Sequence, residues 1–166
     1  MATNYERAFE ERSDVYAAWG QLLGAIKANM DLRRYELATL AAAQRLHSTY
    51  CSLAHGKVLI EQFDEPVLQI VTDRTASGLD KVDLAVMDLA ERVVDDATSI
   101  TDADLQQLRD LGLSDAEIMD VVLTAAVRCF WTKTLDALGV QADAGFRELD
   151  PELQEVLVVG RPIAGP

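Results

Sequence analysis

The chain has 166 residues, of which 49% are hydrophobic and 26% are charged, and these values predict one globular domain over residues 1–166 rather than a disordered chain. Asp and Glu number 28 against 15 Lys and Arg, which gives a formal net charge of -13 and argues against binding to nucleic acid or to an anionic membrane surface. The apolar runs are shorter than the roughly 20 residues that a membrane-spanning helix needs.

The first half of the chain is typical of three consecutive helices. Glycine and proline are sparse and alanine and leucine are frequent, which favours helix. A first helix is predicted over residues 13–29, because apolar residues recur there at spacings of three and four. A second is predicted over 31–46, where a run of alanines indicates close packing against another helix. A third is predicted over 49–62.

The second half continues the helical pattern. A short helix is predicted to begin after Pro66, and longer ones over 80–97, 102–110 and 115–138. Capping-box patterns at Thr101–Asp104 and Ser114–Glu117 mark the start of the last two. The tail over 150–166 predicts a short helix and an arm that packs on the body or on a partner subunit. No strand alternation persists, so we expect an all-α bundle of six to eight helices.

The cysteine and histidine content limits the class of protein further. The chain has two cysteines, Cys51 and Cys129, and two histidines, His47 and His55. Two cysteines make no disulfide framework, although one disulfide between them stays open, and the content makes a zinc site improbable. The first residues lack the basic and apolar stretches of a secretory signal. We therefore expect a cytoplasmic protein without a metal or cofactor.

One cluster combines a thiol, an imidazole and a carboxylate. Ser48, Cys51 and His55 are three and four residues apart, so on a helix they fall within roughly 60° of arc. Glu36 precedes Ser48 by twelve residues, and a short turn would bring it alongside that face. If the helix begins at Ser48, Cys51 lies in the first turn, where the helix dipole favours a thiolate. His55 would then accept the thiol proton, and Glu36 would orient the imidazole.

These residues carry a resemblance to a known family. Residues 31–43, followed by Ser48 to Gly56, resemble the alkylhydroperoxidase D-like (AhpD-like) core of the carboxymuconolactone decarboxylase superfamily, with the motif region over 31–60. Redox members of that family carry a glutamate, then a Cys-x-x-Cys pair, then a histidine four residues after the second cysteine. Glu36, Cys51 and His55 match these positions, and Ser48 replaces the first cysteine.

The resemblance implies a helical fold that forms homo-oligomers and acts on hydroperoxides. Because Ser48 cannot form the family's disulfide, the expected enzyme is a one-cysteine peroxidase in which Cys51 attacks an organic hydroperoxide and an external thiol restores it. His55 would be the base, Glu36 its orienting carboxylate and Ser48 a hydrogen-bond donor. Cys129 would pack in the core, or would serve as a second thiol only if the fold brought it to Cys51.

Other interpretations of the same residues stay open. The chain is alternatively a cofactor-free lyase or isomerase, with Glu36 or His55 as the acid or base. A further alternative is a catalytically inactive subunit that acts through its surface. Cys51 alone is also typical of a buried apolar residue, and Ser48 of a helix cap. Glu36 needs a buried partner, either His55 or an arginine; the candidates are Arg33, Arg34 and Arg45.

Overall fold

A computed structural model describes residues 2–165 of the chain, so that Met1 and Pro166, at the limits of the predicted domain, lie outside the described residues. Nine α-helices occur in this range. They are α1 (Asn4–Ala8), α2 (Ser13–Lys27), α3 (Leu32–Arg45), α4 (Thr49–Phe63), α5 (Val67–Thr72), α6 (Lys81–Asp96), α7 (Asp102–Asp110), α8 (Asp115–Ala137) and α9 (Pro151–Leu157). Short 3-10 turns lie at Glu10–Arg12, Arg74–Ala76, Ala97–Ser99 and Ala144–Glu148.

The predicted all-α, single-domain bundle is confirmed, with helix ends within two residues of the predicted ones for the six long segments. The count is one above the predicted six to eight, because α1 has five residues and is too short for a periodic pattern to show. Both predicted capping boxes are present, at Thr101 and Ser114. In the part of the chain described, no helix is both long and apolar enough to cross a membrane.

The third helix forms the centre of the bundle. Its residues from Tyr35 to Ala43 are all buried, and it packs against α4, α6 and α8. The three alanines from Ala41 to Ala43 are fully buried, as predicted from the alanine run, because a methyl side chain lets a neighbouring helix approach closely. A polar residue on the inner face of α3 is therefore enclosed by three other helices.

A tight turn reverses the chain between α3 and α4. His47 is exposed and adopts the left-handed conformation with φ of 53°, and the Ser48 amide donates to the Ala43 carbonyl at 2.9 Å. This hydrogen-bonding pattern is typical of a helix that ends in a left-handed residue. The turn places α4 antiparallel to α3, so residues on the two helices face each other as the sequence predicted.

The C-terminal arm packs on the body of the protein. Leu157 of α9 is fully buried against α4, and the Gly160 amide donates to the Thr49 hydroxyl at 2.9 Å. A Cβ atom on Gly160 would lie 2.0 Å from the His47 carbonyl oxygen. Only glycine lets the arm approach the turn between α3 and α4 this closely.

We therefore expect Gly160→Ala to destabilise the protein by about 1–3 kcal/mol, because the added methyl group displaces the arm from the turn. The measurement is the free energy of unfolding in urea. The matched control is Gly24→Ala in α2, where an added Cβ meets nothing within 4 Å. Alanine favours helix there, so the control is expected to stabilise by up to about 1 kcal/mol. Equal effects of the two substitutions would contradict the proposed close packing.

Candidate functional site

A cavity of about 250 Å³ lies where α1, α2, α3, α4 and α8 meet. Much of its wall is aromatic, contributed by Tyr5, Tyr16, Trp19, Tyr35, Tyr50 and Trp131. Trp19 and Trp131 stack with ring centroids 3.7 Å apart and an interplanar angle of 10°. Cys51, Lys27, His55 and Arg128 also line this cavity, so it combines an apolar wall with a thiol and titratable groups.

Glu36 and His55 form a buried pair at this cavity. Glu36 is 4% exposed, and its Oε2 atom is hydrogen-bonded to Nδ1 of His55. Lys27 Nζ lies 3.7 Å from the other carboxylate oxygen of Glu36. Burial alone would raise the pKa of Glu36, but the His55 hydrogen bond and the Lys27 charge outweigh burial and hold its pKa below the ordinary value. Glu36 is therefore a carboxylate at neutral pH.

The three arginines that were alternative partners of Glu36 bind other carboxylates. Arg33 and Arg34 both donate to buried Asp83, at 2.7 and 3.1 Å. Arg45 donates to Asp95 at 3.0 Å. Of the partners considered for Glu36, the structure therefore selects His55.

Arg128 occupies the other side of the His55 ring. Its Nη1 atom lies 3.1 Å from His55 Nε2, and its Nη2 atom donates to the Tyr35 hydroxyl. Burial and the Arg128 charge lower the pKa of His55 below its ordinary value, so the imidazole is neutral at neutral pH. The partners then assign the tautomer: Nδ1 carries the proton and donates to Glu36, and Nε2 accepts from Arg128.

Cys51 lies one turn before His55 on α4 and has a different partner. It is 3% exposed, and the Thr132 hydroxyl of α8 donates to its Sγ atom at 3.6 Å. Because α4 begins at Thr49, Cys51 lies in its first turn, as predicted. The thiol and the His55 Nε2 atom thus make their hydrogen bonds to separate groups, Thr132 and Arg128.

Ser48 and Cys129 are the remaining residues that the sequence singled out. Ser48 is buried at the N-cap position of α4, but its side chain accepts no capping hydrogen bond. Cys129 is partly buried, does not line the cavity, and burial raises the pKa of its thiol. Both cysteines are free thiols, so a disulfide between Cys51 and Cys129 is not formed. Residues 2–165 hold no group of three or more His, Cys, Asp or Glu side chains arranged for a metal ion.

The sequence interpretation missed the groups that α8 brings to the site. Arg128 and Thr132 are four residues apart, so they share one face of α8 and point to the same region. A signal was present for Arg128, because it is the one charged residue between Asp120 and Lys133. A lone cation in an apolar helical run needs a buried acceptor, although the sequence does not say which one.

We expect His55 to make the stability of the protein depend on pH. Its pKa is below the ordinary value of 6.5 in the folded chain. As the pH falls through this value, the unfolded chain therefore binds a proton that the folded chain does not, and stability falls. The slope reaches at most about 1.4 kcal/mol per pH unit, and the measurement is urea unfolding at several values between about pH 7.5 and about pH 5.5.

His55→Gln is expected to reduce that slope. Glu36 adds little in this range, since its own contribution is lost only as the pH falls below 4.5. The matched control is His47→Gln, because His47 is the other histidine of the chain and is exposed. If His47→Gln reduced the slope as much as His55→Gln, the assignment of the slope to His55 would be wrong.

Comparison with known proteins finds solved structures with a similar fold, but no family model and no curated protein with a similar sequence. A solved structure described as an alkylhydroperoxidase AhpD core, an uncharacterized peroxidase-related protein from Ralstonia eutropha, superimposes with a TM-score of 0.78 and 18% identity, covering 97% of this chain and 84% of that one.

Two further structures have the same architecture. An uncharacterized peroxidase-related protein from a Silicibacter species gives a TM-score of 0.81 at 18% identity, over 89% of this chain and 80% of its own. A cysteine-to-alanine variant of the debrominase Bmp8, in complex with 2,3,4-tribromopyrrole, gives 0.74 at 15% identity, over 88% and 78%. The arrangement of helices that carries Glu36, Cys51 and His55 is therefore the fold of the alkylhydroperoxidase AhpD core and its peroxidase-related neighbours.

Proposed function

We propose that the protein is a thiol-dependent peroxidase that reduces organic hydroperoxides through Cys51. The observation that carries this proposal is the position of the thiol, which lines an aromatic cavity together with the Glu36–His55 pair. An aromatic wall favours an organic hydroperoxide over hydrogen peroxide, because burial of the apolar part contributes binding free energy. The fold shared with peroxidase-related proteins supports the same proposal.

The first half-reaction oxidises the thiol. His55 Nε2 accepts the Cys51 proton, and the thiolate attacks the outer oxygen of the hydroperoxide. The O–O bond breaks, the outer oxygen stays on sulfur as a sulfenic acid, and the departing alkoxide takes the proton from His55 to leave as an alcohol. Glu36 stabilises the transient imidazolium, because its carboxylate is already bonded to Nδ1. Arg128 has to release Nε2 before this step.

The second half-reaction needs a thiol from outside the chain. Ser48 has no sulfur, and Cys129 does not line the cavity, so no second protein thiol is placed to attack the sulfenic acid. One molecule of a small thiol displaces water to form a mixed disulfide with Cys51, and a second releases the oxidised reductant as its disulfide. A small thiol is also the reductant that a cavity of about 250 Å³ admits. We further expect the protein to act in the cytoplasm and as a homo-oligomer.

We expect Cys51→Ala to abolish consumption of cumene hydroperoxide in the presence of dithiothreitol, because no other thiol lines the cavity. In the native protein, a sulfenic acid at Cys51 is expected after exposure to the hydroperoxide, trapped with dimedone and located by mass spectrometry. The control is Cys129→Ala, which should retain activity. Full hydroperoxide consumption by Cys51→Ala would refute the peroxidase proposal and favour a lyase in which Glu36 or His55 is the acid or base.

We also expect Thr132→Val to slow oxidation of Cys51 by roughly threefold to tenfold, because valine keeps the shape of threonine but removes one hydrogen bond to sulfur. The measurement is the single-turnover rate of sulfenic acid formation. Thr134→Val is the matched control on the same helix, since the Thr134 hydroxyl bonds the Phe130 carbonyl instead. A rate unchanged by Thr132→Val would show that this hydroxyl does not stabilise the thiolate.

A further inference from the structure

The cavity contains a buried cation whose hydrogen-bonding partners are both neutral. Arg128 is 2% exposed, and its recorded bonds go to the His55 imidazole and the Tyr35 hydroxyl. Burial raises the pKa of Tyr35 above its ordinary value, so Tyr35 is a neutral phenol. His55 is neutral for the reasons given above. Within residues 2–165 the guanidinium makes no ion pair with a carboxylate; it lies over the rings of Trp19 and Tyr35, 5.6 and 5.8 Å from their centroids.

The hydrogen-bonding capacity of Arg128 is also only partly used. A guanidinium has five N–H donors, and the two recorded bonds occupy two of them. The Nε atom is buried without any acceptor, and so is the indole Nε1 atom of Trp19, another residue of the cavity wall. Buried donors are rarely left without acceptors in folded proteins, because each one costs free energy. These N–H groups point to a ligand that supplies acceptors.

Around the cavity, positive charges outnumber negative ones, which also favours an anionic ligand. Arg128 and Lys27 are two cations, and Glu36 is the carboxylate of the cluster, bonded to His55 and close to Lys27. This local excess of positive charge occurs in a chain whose formal net charge is -13. A buried cation is costly unless an anion accompanies it. An anionic ligand would supply the missing charge.

We propose that this cavity binds a small organic anion with a planar apolar body, with its acidic group on Arg128 and its body against the aromatic wall. The aromatic side chains that line the cavity, Tyr16, Trp19 and Tyr50 among them, provide apolar surface, and Arg128 provides paired donors that match a carboxylate. At about 250 Å³ the cavity is smaller than those of drug-sized ligands, which indicates a molecule of about one ring.

This inference rests on the proposed function and names its substrate class, an organic hydroperoxide that carries an acidic group. An anionic substrate would also explain how Arg128 releases His55 Nε2, the atom that has to accept the Cys51 proton. Arg128 Nη1 now donates to His55 Nε2. A carboxylate is a stronger acceptor than a neutral imidazole, so a bound anion draws the guanidinium to itself. His55 Nε2 is then free to accept the Cys51 proton, so a hydroperoxide with an acidic group is expected to react faster than a neutral one such as cumene hydroperoxide.

Binding of benzoate tests this inference without any turnover. The titration follows the fluorescence of Trp19 and Trp131, or the heat of binding, in the Cys51→Ala protein. We expect benzoate to bind at least about tenfold more tightly than benzamide, which has the same shape but no charge. Acetate, which has the charge but no ring, is expected to bind more weakly than benzoate. Equal affinities for benzoate and benzamide, or no binding at millimolar benzoate, would overturn the proposal.

Substitution of the cation gives a second measurement. Arg128→Gln is expected to lower benzoate affinity at least about tenfold while changing benzamide affinity little. The control is Arg161→Gln, an arginine that pairs with Asp136 and does not line the cavity. If Arg128→Gln fails to fold, the comparison of benzoate with benzamide in the Cys51→Ala protein, which keeps Arg128, still decides.

The two proposals fail separately. Benzoate binding with no hydroperoxide consumption would refute the peroxidase and leave the anion site standing. Consumption of neutral hydroperoxides with no preference for benzoate over benzamide would refute the anion site and leave the peroxidase standing.

Discussion

The carboxylate of Glu36, enclosed on the central helix, is the constraint on which the rest of the site depends. A buried carboxylate is costly unless it is bonded to donors, and the turn between α3 and α4 supplies His55 for this purpose. Once Nδ1 of His55 donates to Glu36, the lone pair of the imidazole must lie on Nε2, and that atom faces Arg128. A chain of hydrogen bonds therefore runs from Glu36 through His55 and Arg128 to Tyr35, and it fixes the imidazole one helical turn from Cys51.

The fold was predictable from local patterns, and the site was predictable only in part. Helices α2 to α4 follow from apolar spacing, and the pairing of Glu36 with His55 follows from the short turn between their helices. The partners from α8 were not predictable in this way. Arg128 is 73 residues from His55, and Thr132 is 81 residues from Cys51. A periodic pattern identifies the inner face of α8, but it does not say which residues of α4 that face meets.

Ser48 illustrates a different limit of sequence interpretation. The residue lies at the N-cap position, where the sequence predicted it, yet its side chain makes no capping bond. Position in a helix is determined by the backbone, whereas use of the hydroxyl depends on the rotamer and on neighbours from elsewhere in the chain. The same fold accommodates peroxidase-related proteins and a debrominase. The activity of a protein with this fold therefore depends on the side chains within its cavity, and in this chain they include the buried cation Arg128.

The packing of the C-terminal arm on the turn between α3 and α4 determines how proteolysis of the arm would affect the site. Residues 150–165 of the arm contribute no side chain to the cavity wall, but the Gly160 amide donates to the Thr49 hydroxyl and Gly160 lies against the His47 carbonyl, at the turn that sets α4 beside α3. Proteolytic removal of the arm would loosen that turn and let α4 shift along α3. His55 would then separate from Glu36, and the peroxidase activity proposed for Cys51 would be lost before the bundle unfolds, through a cut at a site remote from the thiol.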